Sequence, residues 1–582
     1  MTDVDARHGE DALGAHGTSG GAGLPGELAG RVREWIGEDP DPATREELAA
    51  LLAAAAGGDG TAGEELADRF SGTLEFGTAG LRGAMGGGPM RMNRAVVIRA
   101  AAGLSRYVAE QGGGLVVIGY DARYLSERFA RDTAAVVTGA GLRAAVLPRP
   151  LPTPVLAFAI RHLGAAAGVM VTASHNPPQD NGYKVFLGDG SQIVPPADAE
   201  IAARIAAVGA LESVPRPEHG WQVLGEDVLE AYLERTASVV APGGPREVST
   251  VYTPLHGVGR EVLETAFARA GFPLPAVVAE QADPDPDFPT VAFPNPEEPG
   301  AMDLALRDAA AVGPDVVVAN DPDADRCAAA VPDPAAEGGW RMLRGDELGA
   351  LLALHLVRRG AVEPGQDVFA ASIVSSSLLS RIAAAAGLGY EETLTGFKWI
   401  SRVPGLRYGY EEALGYCVDP DGVRDKDGVT AALLVAELAA SVKREGGTLA
   451  GLLDELALAH GLHATDQLSV RVADLGLIGA AMARLRETPP QALAGLAVAA
   501  AQDLAEGVDG LPPTDGLRYR LAGPDVDSAR VTVRPSGTEP KVKCYLEVVV
   551  PVPGAAALPA ARARAADLLS RLKADLSKAA GF

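Results

Sequence analysis

Ser174 and His175 are neighbours in the stretch Thr172-Ala173-Ser174-His175-Asn176-Pro177. A serine hydroxyl on a rigid loop can carry a covalent group, and an adjacent imidazole can hold or move a proton. The stretch follows the apolar run Ala165-Ala166-Ala167-Gly168-Val169-Met170-Val171, which reads as a buried strand. The serine therefore falls on the loop leaving a strand end, where open α/β sheets present their chemistry. Asn176-Pro177 stops regular structure just behind it. Read alone, the pair would also suit a hydrolase, but no third partner for a hydrolytic triad can be placed.

The second cluster is Asp321-Pro322-Asp323-Ala324-Asp325-Arg326, at the end of the strand-like Val316-Val317-Val318. Three carboxylates at alternating positions repel each other unless a cation sits among them. Hard oxygen donors in a compact loop suit Mg²⁺, with a phosphate oxygen as a further ligand. An EF-hand would need Gly and Glu at the sixth and twelfth positions, where this chain has Arg326 and Pro332. A solvated acidic turn is the plain alternative, but this triad closes a buried strand.

Arg534-Pro535-Ser536-Gly537-Thr538-Glu539-Pro540-Lys541 combines a guanidinium, two hydroxyls, glycine amides and an ammonium. Those are the parts of a phosphate cradle. A Pro-Ser-Gly turn between strands would use some of the same residues without binding anything. The glycine-dense Gly77-Thr78-Ala79-Gly80-Leu81-Arg82-Gly83 can bring backbone and one positive charge close to an anion. Glu411-Glu412, followed by Lys426 in Asp425-Lys426-Asp427-Gly428, can accept hydrogen bonds from sugar hydroxyls; a capping or solvated pair is equally compatible. Together, a serine, a metal triad, a phosphate cradle and a hydroxyl reader imply phosphoryl transfer on a polyol.

The formal net charge of −25 over 582 residues argues against a nucleic-acid binder, which needs a basic footprint. In so acidic a chain, clustered Arg and Lys mark a local positive pocket. Cys327, Cys417 and Cys544 are scattered and lack metal-ligand spacing, which points to a reducing cytoplasm. No apolar run is long enough to span a membrane, and the first residues show no signal-peptide pattern.

The elements that must position these groups alternate. Residues 1–24 read as a disordered tail. Helical patterning covers Leu28, Val32, Trp35 and Ile36, and a second helix is expected to open at Thr44-Arg45-Glu46-Glu47 and run to Ala56. Helices are expected over 96–110 and 126–141, and strands over 115–118 and 143–147. The same βαβ rhythm returns at 248–270, at 315–318 and at 368–385. From about 464 the order changes to strands at 467–472, 529–533 and 541–550 and a final helix at 556–579. The expected divisions are 25–222, 223–338 and 339–462 as α/β units, and 463–582 as an α+β unit.

With these motifs in this order, the chain resembles the alpha-D-phosphohexomutase superfamily over roughly residues 30–582. The resemblance implies an α/β fold of three related α/β domains plus a C-terminal α+β domain around a central cleft. It implies that Ser174 is the phosphoserine, and that Asp321, Asp323 and Asp325, with Ser174, hold Mg²⁺. Arg82, His175, Lys184 and Lys426 become candidates for proton transfer and charge stabilisation. Arg326, Lys398, Glu411, Glu412, Arg534, Ser536, Gly537, Thr538 and Lys541 become candidates for substrate binding.

The implied reaction moves a phosphoryl group between the C1 and C6 (or C5) hydroxyls of an aldose phosphate through a bisphosphate, with a sugar bisphosphate as activator. The implied state is a cytoplasmic monomer or homodimer. Ala413 stands where many hexose members have Ser. Together with Thr395-Gly396-Phe397-Lys398-Trp399 and the N-terminal helices, it looks like the branch of phosphopentomutases and glucose-1,6-bisphosphate synthases. A phosphoglucomutase/phosphomannomutase is the leading expectation. A phosphopentomutase or bisphosphate synthase is the alternative, and a silent sugar-phosphate binder is disfavoured by the intact serine and aspartates.

Overall fold

The structure, a computed structural model, describes residues 25–75, 80–471, 476–535 and 541–581. The tail 1–24, Gly77 to Ala79 and Ser536 to Thr538 lie outside the described residues.

Short apolar segments alternate with helices because both faces of a parallel sheet must be covered. The first sheet runs in the order Leu81–Ala84, Asp180–Leu187, Ala167–Val171, Leu115–Tyr120, Arg143–Val146, Gln222–Val223. Its last four strands are parallel, and Asp180–Leu187 is antiparallel to both of its neighbours. The second sheet has five strands, with Val316–Ala319 parallel to Thr250–Thr253 at its centre. The third has four, with Val368–Ser372 parallel to Leu406–Glu411 and Gly415–Cys417 closing it antiparallel. The fourth is an antiparallel six-stranded sheet, backed by the helices Gly476–Glu487 and Leu558–Ala580.

One continuous apolar core runs from Val117 in the first sheet to Leu456, through the second and third. The fourth sheet has a separate core around Val531, Val533, Leu546, Leu568 and Leu572. Gly461, at φ +83°, makes the turn between helix Leu449–His460 and the first strand of the fourth sheet. Only glycine enters that backbone region without strain.

Several local expectations shift. The second N-terminal helix spans Pro42–Ala56, because Asp41 caps it by accepting from Ala43 N at 3.0 Å. Thr44 instead donates to Asp39 Oδ2 at 2.7 Å. A third N-terminal helix, Gly60–Arg69, has no counterpart in the sequence reading; its buried positions are only Ala62 and Leu66. The end of the glycine-dense loop is a strand, Leu81–Ala84. The helix expected from 376 starts at Leu378, because Ser376 and Ser377 are engaged with Glu547. The expected 222/223 break falls inside the strand Gln222–Val223. Trp340–Met342, past the expected 338/339 break, still pairs with Ala328–Pro332. Among the described residues no helix is long and apolar enough to cross a membrane. The three cysteines are buried and free.

Candidate active site

The strand Ala167–Val171 is fully buried and ends at Val171, and Ser174 follows with φ +52°. A non-glycine residue there is strained, and such strain persists only where surroundings fix the backbone. Here they do. Ser174 N donates to Thr172 Oγ1 at 2.9 Å. The buried Arg123 guanidinium donates to the carbonyls of Ser174 (2.6 Å), Asn176 (2.6 Å), Pro177 (2.9 Å) and Asp180 (3.2 Å). Four carbonyls on one planar fork give the loop a single shape.

Ser174 Oγ meets the second sheet. It donates to Asp321 Oδ2 at 2.7 Å and lies 3.1 Å from His175 Nδ1, so the imidazole does face the serine oxygen. Asp321, Asp323 and Asp325 leave the C-terminal end of Val316–Ala319. All three are fully buried and each offers an oxygen within 4.8 Å of the others.

Their oxygens divide into two sets. Asp323 Oδ2 accepts from Thr153 Oγ1 at 2.6 Å and from Lys184 Nζ at 2.7 Å. Asp325 Oδ2 accepts from Lys184 Nζ at 2.9 Å and pairs with Lys426 Nζ at 3.0 Å. Asp323 Oδ1 and Asp325 Oδ1 are buried with no partner. Buried carboxylate oxygens without donors are costly, and a hard divalent cation satisfies them. The donor set therefore fits Mg²⁺.

Burial, with Asp323 and Asp325 alongside, pushes Asp321 up to about 8. Burial works against ionisation of Asp323 too, but the Lys184 ammonium outweighs it and holds that carboxyl well below the usual range. Lys184 is also buried, yet Asp323 and Asp325 raise its pKa, so it is firmly an ammonium. His175 is driven well below its ordinary value by burial and by Arg326, Arg82, Lys426 and Lys184; its ring is neutral. Arg82 donates to Asn176 Oδ1 at 3.1 Å from a strand paired with the one carrying Lys184. That pairing requires Gly80, where a Cβ would lie 2.1 Å from Tyr183 O.

The third and fourth sheets face this centre. Lys426 packs against Gly415, the residue bridged to Arg326. Glu411 ends the strand Leu406–Glu411 and accepts from Gly396 N at 2.7 Å, just ahead of the helical turn Phe397–Ile400. Glu412 Oε2 accepts from Ser372 Oγ (3.2 Å) and Ser375 Oγ (3.1 Å). Lys398 is buried and lies with Trp399, Thr395 and Arg534 around a cavity of about 200 Å³ between the third and fourth sheets. Lys541 opens the strand Lys541–Val550.

Four residues in or against the site are absent from the sequence expectations. Arg123 and Thr153 read only as loop and helix punctuation. Gln192 donates to Asp425 Oδ2 at 2.7 Å, beside Lys426. Lys543 sits among Lys541, Glu412, Glu297 and Arg326, and burial lowers its pKa. The alternation along Lys541–Val550 puts 541 and 543 on one face, which could have flagged it.

The arrangement is a hydroxyl held against a cation-ready carboxylate cluster, ringed by ammonium and guanidinium groups, with glutamates opposite. It can hold a phosphoryl group on serine and pass it to a bound alcohol. Comparison with known proteins bears on the same chemistry. Residues 73–211, 230–337 and 344–458 match alpha/beta/alpha domains I, II and III of phosphoglucomutase/phosphomannomutase, and 469–565 match its C-terminal domain. A probable phosphomannomutase of Haemophilus influenzae is 48% identical over 464 residues, covering 79% of this chain and 93% of the relative. A phosphopentomutase of Mus musculus is 35% identical over 579 residues, covering 91% of this chain and 92% of its own. A solved putative phosphomannomutase from Thermus thermophilus superposes with a TM-score of 0.66 at 27% identity, covering 86% of this chain and 98% of its own. Serine loop, aspartate loop, paired glutamates and C-terminal sheet thus fall within four matched domains in order, and the chain belongs to the phosphoglucomutase/phosphomannomutase family, as a phosphosugar mutase of that type.

Proposed function

We propose that the substrate is a hexose monophosphate, of glucose or mannose, and that Ser174 is the phosphate carrier. The carrying observation is the 2.7 Å hydrogen bond from Ser174 Oγ to Asp321, inside a ring formed by Lys184, Lys426, Arg326 and Arg82. The 48% identical relative named a probable phosphomannomutase supports the hexose.

Asp321, Asp323 and Asp325 would hold Mg²⁺, with a phosphoserine oxygen beside them. When bound, the ion neutralises phosphate charge and polarises the phosphorus–oxygen bond. The chain's own groups do the rest. In the forward step the bond from Ser174 Oγ to phosphorus breaks, one from a sugar hydroxyl oxygen to phosphorus forms, and the hydroxyl proton passes by way of His175 to the freed Ser174 Oγ. Arg82 and Lys184 carry fixed positive charge where the equatorial oxygens gather negative charge. Lys184, pinned between two aspartates, acts as charge rather than as a base. In the return step, with Asp321 committed to the cation, the Ser174 hydroxyl would be free to give its proton to neutral His175 Nδ1, at 3.1 Å, as Ser174 attacks, and His175 would pass it to the departing sugar oxygen. Arg534, Ser536, Gly537, Thr538 and Lys541, joined by Lys543, would hold the distal phosphate. Glu411 and Glu412 would face the ring, with Lys398 alongside. A sugar bisphosphate would prime Ser174.

A second reading, a pentose phosphate, is favoured by Ala413 and by the 35% identical phosphopentomutase that covers 91% of this chain. A panel of glucose, mannose, glucosamine and ribose 1-phosphates, with Mg²⁺ and catalytic bisphosphate, separates the two by kcat/KM. Ser174→Ala should lose protein phosphorylation, read as intact mass, and turnover together. Substantial turnover in that variant would remove the serine from the mechanism.

A further inference from the structure

Glu297 belongs to Phe293-Pro294-Asn295-Pro296-Glu297-Glu298-Pro299, a loop of the second α/β unit that no motif above includes. Three prolines and an Asx turn make it stiff. Asn295 is buried, its Oδ1 accepts from Glu297 N at 3.2 Å and its carbonyl accepts from Glu298 N at 2.9 Å. At the other end of the loop, Phe293 lies under the Arg471 guanidinium, 5.8 Å from ring centre to Cζ, on the first strand of the fourth sheet. The loop is therefore fixed at its base and tied across to the C-terminal domain.

The Glu297 carboxylate enters the cleft. Arg326 lies 3.8 Å from it, and Glu412 from the third sheet, Lys543 from the fourth and the adjacent Glu298 also act on it. Groups from three sheets thus converge on one carboxylate. The other two glutamates there are committed: Glu411 to Gly396 N, Glu412 to Ser372 and Ser375. Among the described residues Glu297 accepts no side-chain hydrogen bond, and its side chain is 33% accessible. An anion in this position cannot face a phosphate, which it would repel; Arg326, Lys543 and the cradle serve that end. What it can accept is the hydrogen of a neutral hydroxyl, in a charge-assisted bond.

We infer that Glu297 is a specificity-determining residue that reads one ring hydroxyl of the bound sugar, from the second α/β unit and alongside Glu412. This rests on the phosphosugar mutase reading of the same site.

The test first ranks wild-type enzyme on hexose and pentose 1-phosphates, which identifies the parent sugar without reference to Glu297. Glu297→Gln is then compared with wild type on that parent and on its analogues, each lacking one ring hydroxyl. Ser174 phosphorylation by bisphosphate and the thermal midpoint serve as controls for fold and chemistry. Glu297→Gln should lose about 10- to 100-fold in kcat/KM on the parent. On one analogue, the one lacking the hydroxyl that Glu297 reads, wild type and variant should become equal. The same loss on every analogue would make Glu297 a support for Arg326 and overturn the inference, as would no loss on the parent. A wild-type enzyme that turns over none of the sugars would overturn the mutase reading itself, and this inference with it.

Discussion

Ser174 Oγ and Asp321 Oδ2 are 2.7 Å apart, although 147 residues separate them in the chain. One leaves the first sheet and the other the second. The join is reinforced by Thr153, whose N and Oγ1 donate to Asp323 O (2.9 Å) and Oδ2 (2.6 Å). The serine and the cation site are therefore built as one unit, so damage on either side should be felt on both.

Asp323→Asn tests the cation site. The amide removes one unpartnered anionic oxygen while keeping the shape. Mg²⁺ affinity, read by calorimetry, should fall by about tenfold or more, and Mg²⁺-dependent turnover by about a hundredfold. Chelator should abolish wild-type turnover reversibly. Unchanged Mg²⁺ binding in the variant would place the ion elsewhere.

Lys184→Met removes an ammonium from between two buried aspartates. Breaking a buried pair from one side costs about 3–5 kcal/mol. In chelator the thermal midpoint should drop by several degrees. Mg²⁺ should restore part of the loss, because it supplies the missing charge and binds only the folded site. An equal midpoint for variant and wild type in chelator would show that Lys184 is not what balances the triad.

Arg123→Lys tests the loop that carries the serine. An ammonium cannot reach all four carbonyls that the guanidinium joins. Turnover should fall by about tenfold or more through kcat, with KM nearly constant, since the change misplaces Ser174 and leaves the sugar contacts alone. A loss confined to KM would count against this assignment.

Asp346 gives a pH dependence remote from the cation site. Its Oδ1 accepts from Ser376 N at 2.6 Å and Tyr410 OH at 2.9 Å, and Glu412, Glu547, Arg530 and Tyr416 also face it. Burial pushes its carboxyl up to about 7. A raised carboxyl means the folded state holds the proton more tightly than the unfolded chain, whose value is about 4. Its contribution to stability is complete below about pH 4 and disappears as pH rises through 7. Asp346→Asn keeps both hydrogen bonds to Oδ1 and cannot ionise. Thermal midpoints of variant and wild type should agree near pH 4 and separate by several degrees in favour of the variant at pH 8. A constant difference across that range would refute the shift.

Ser174, the aspartates and Glu411 were legible because each motif is local and sits at the end of an apolar strand. The βαβ rhythm was legible for the same reason: buried strands and amphipathic helices write their periods directly into the chain. Arg123, Thr153 and Gln192 were not legible, because each acts through a contact that exists only after distant strands align, whereas Lys543 shares a strand face with Lys541. The helix Gly60–Arg69 writes only a faint stripe into the sequence, with Ala62 and Leu66 as its buried side chains. Thr44 has the side chain of a helix cap, but the hydrogen bonding assigns that role to Asp41, two residues ahead of Ala43.

The division of the apolar core bears on how the molecule is made. Both ammonium groups that balance the aspartates, Lys184 and Lys426, lie within the three sheets sharing one core, before Gly461. A ribosome delivers those sheets first, and domains fold as they emerge. The buried aspartates and their lysines can thus come together while the last sheet is still unsynthesised. The final domain then joins a centre whose aspartates already face Lys184 and Lys426, so an interrupted or slow C-terminus does not leave them without ammonium partners.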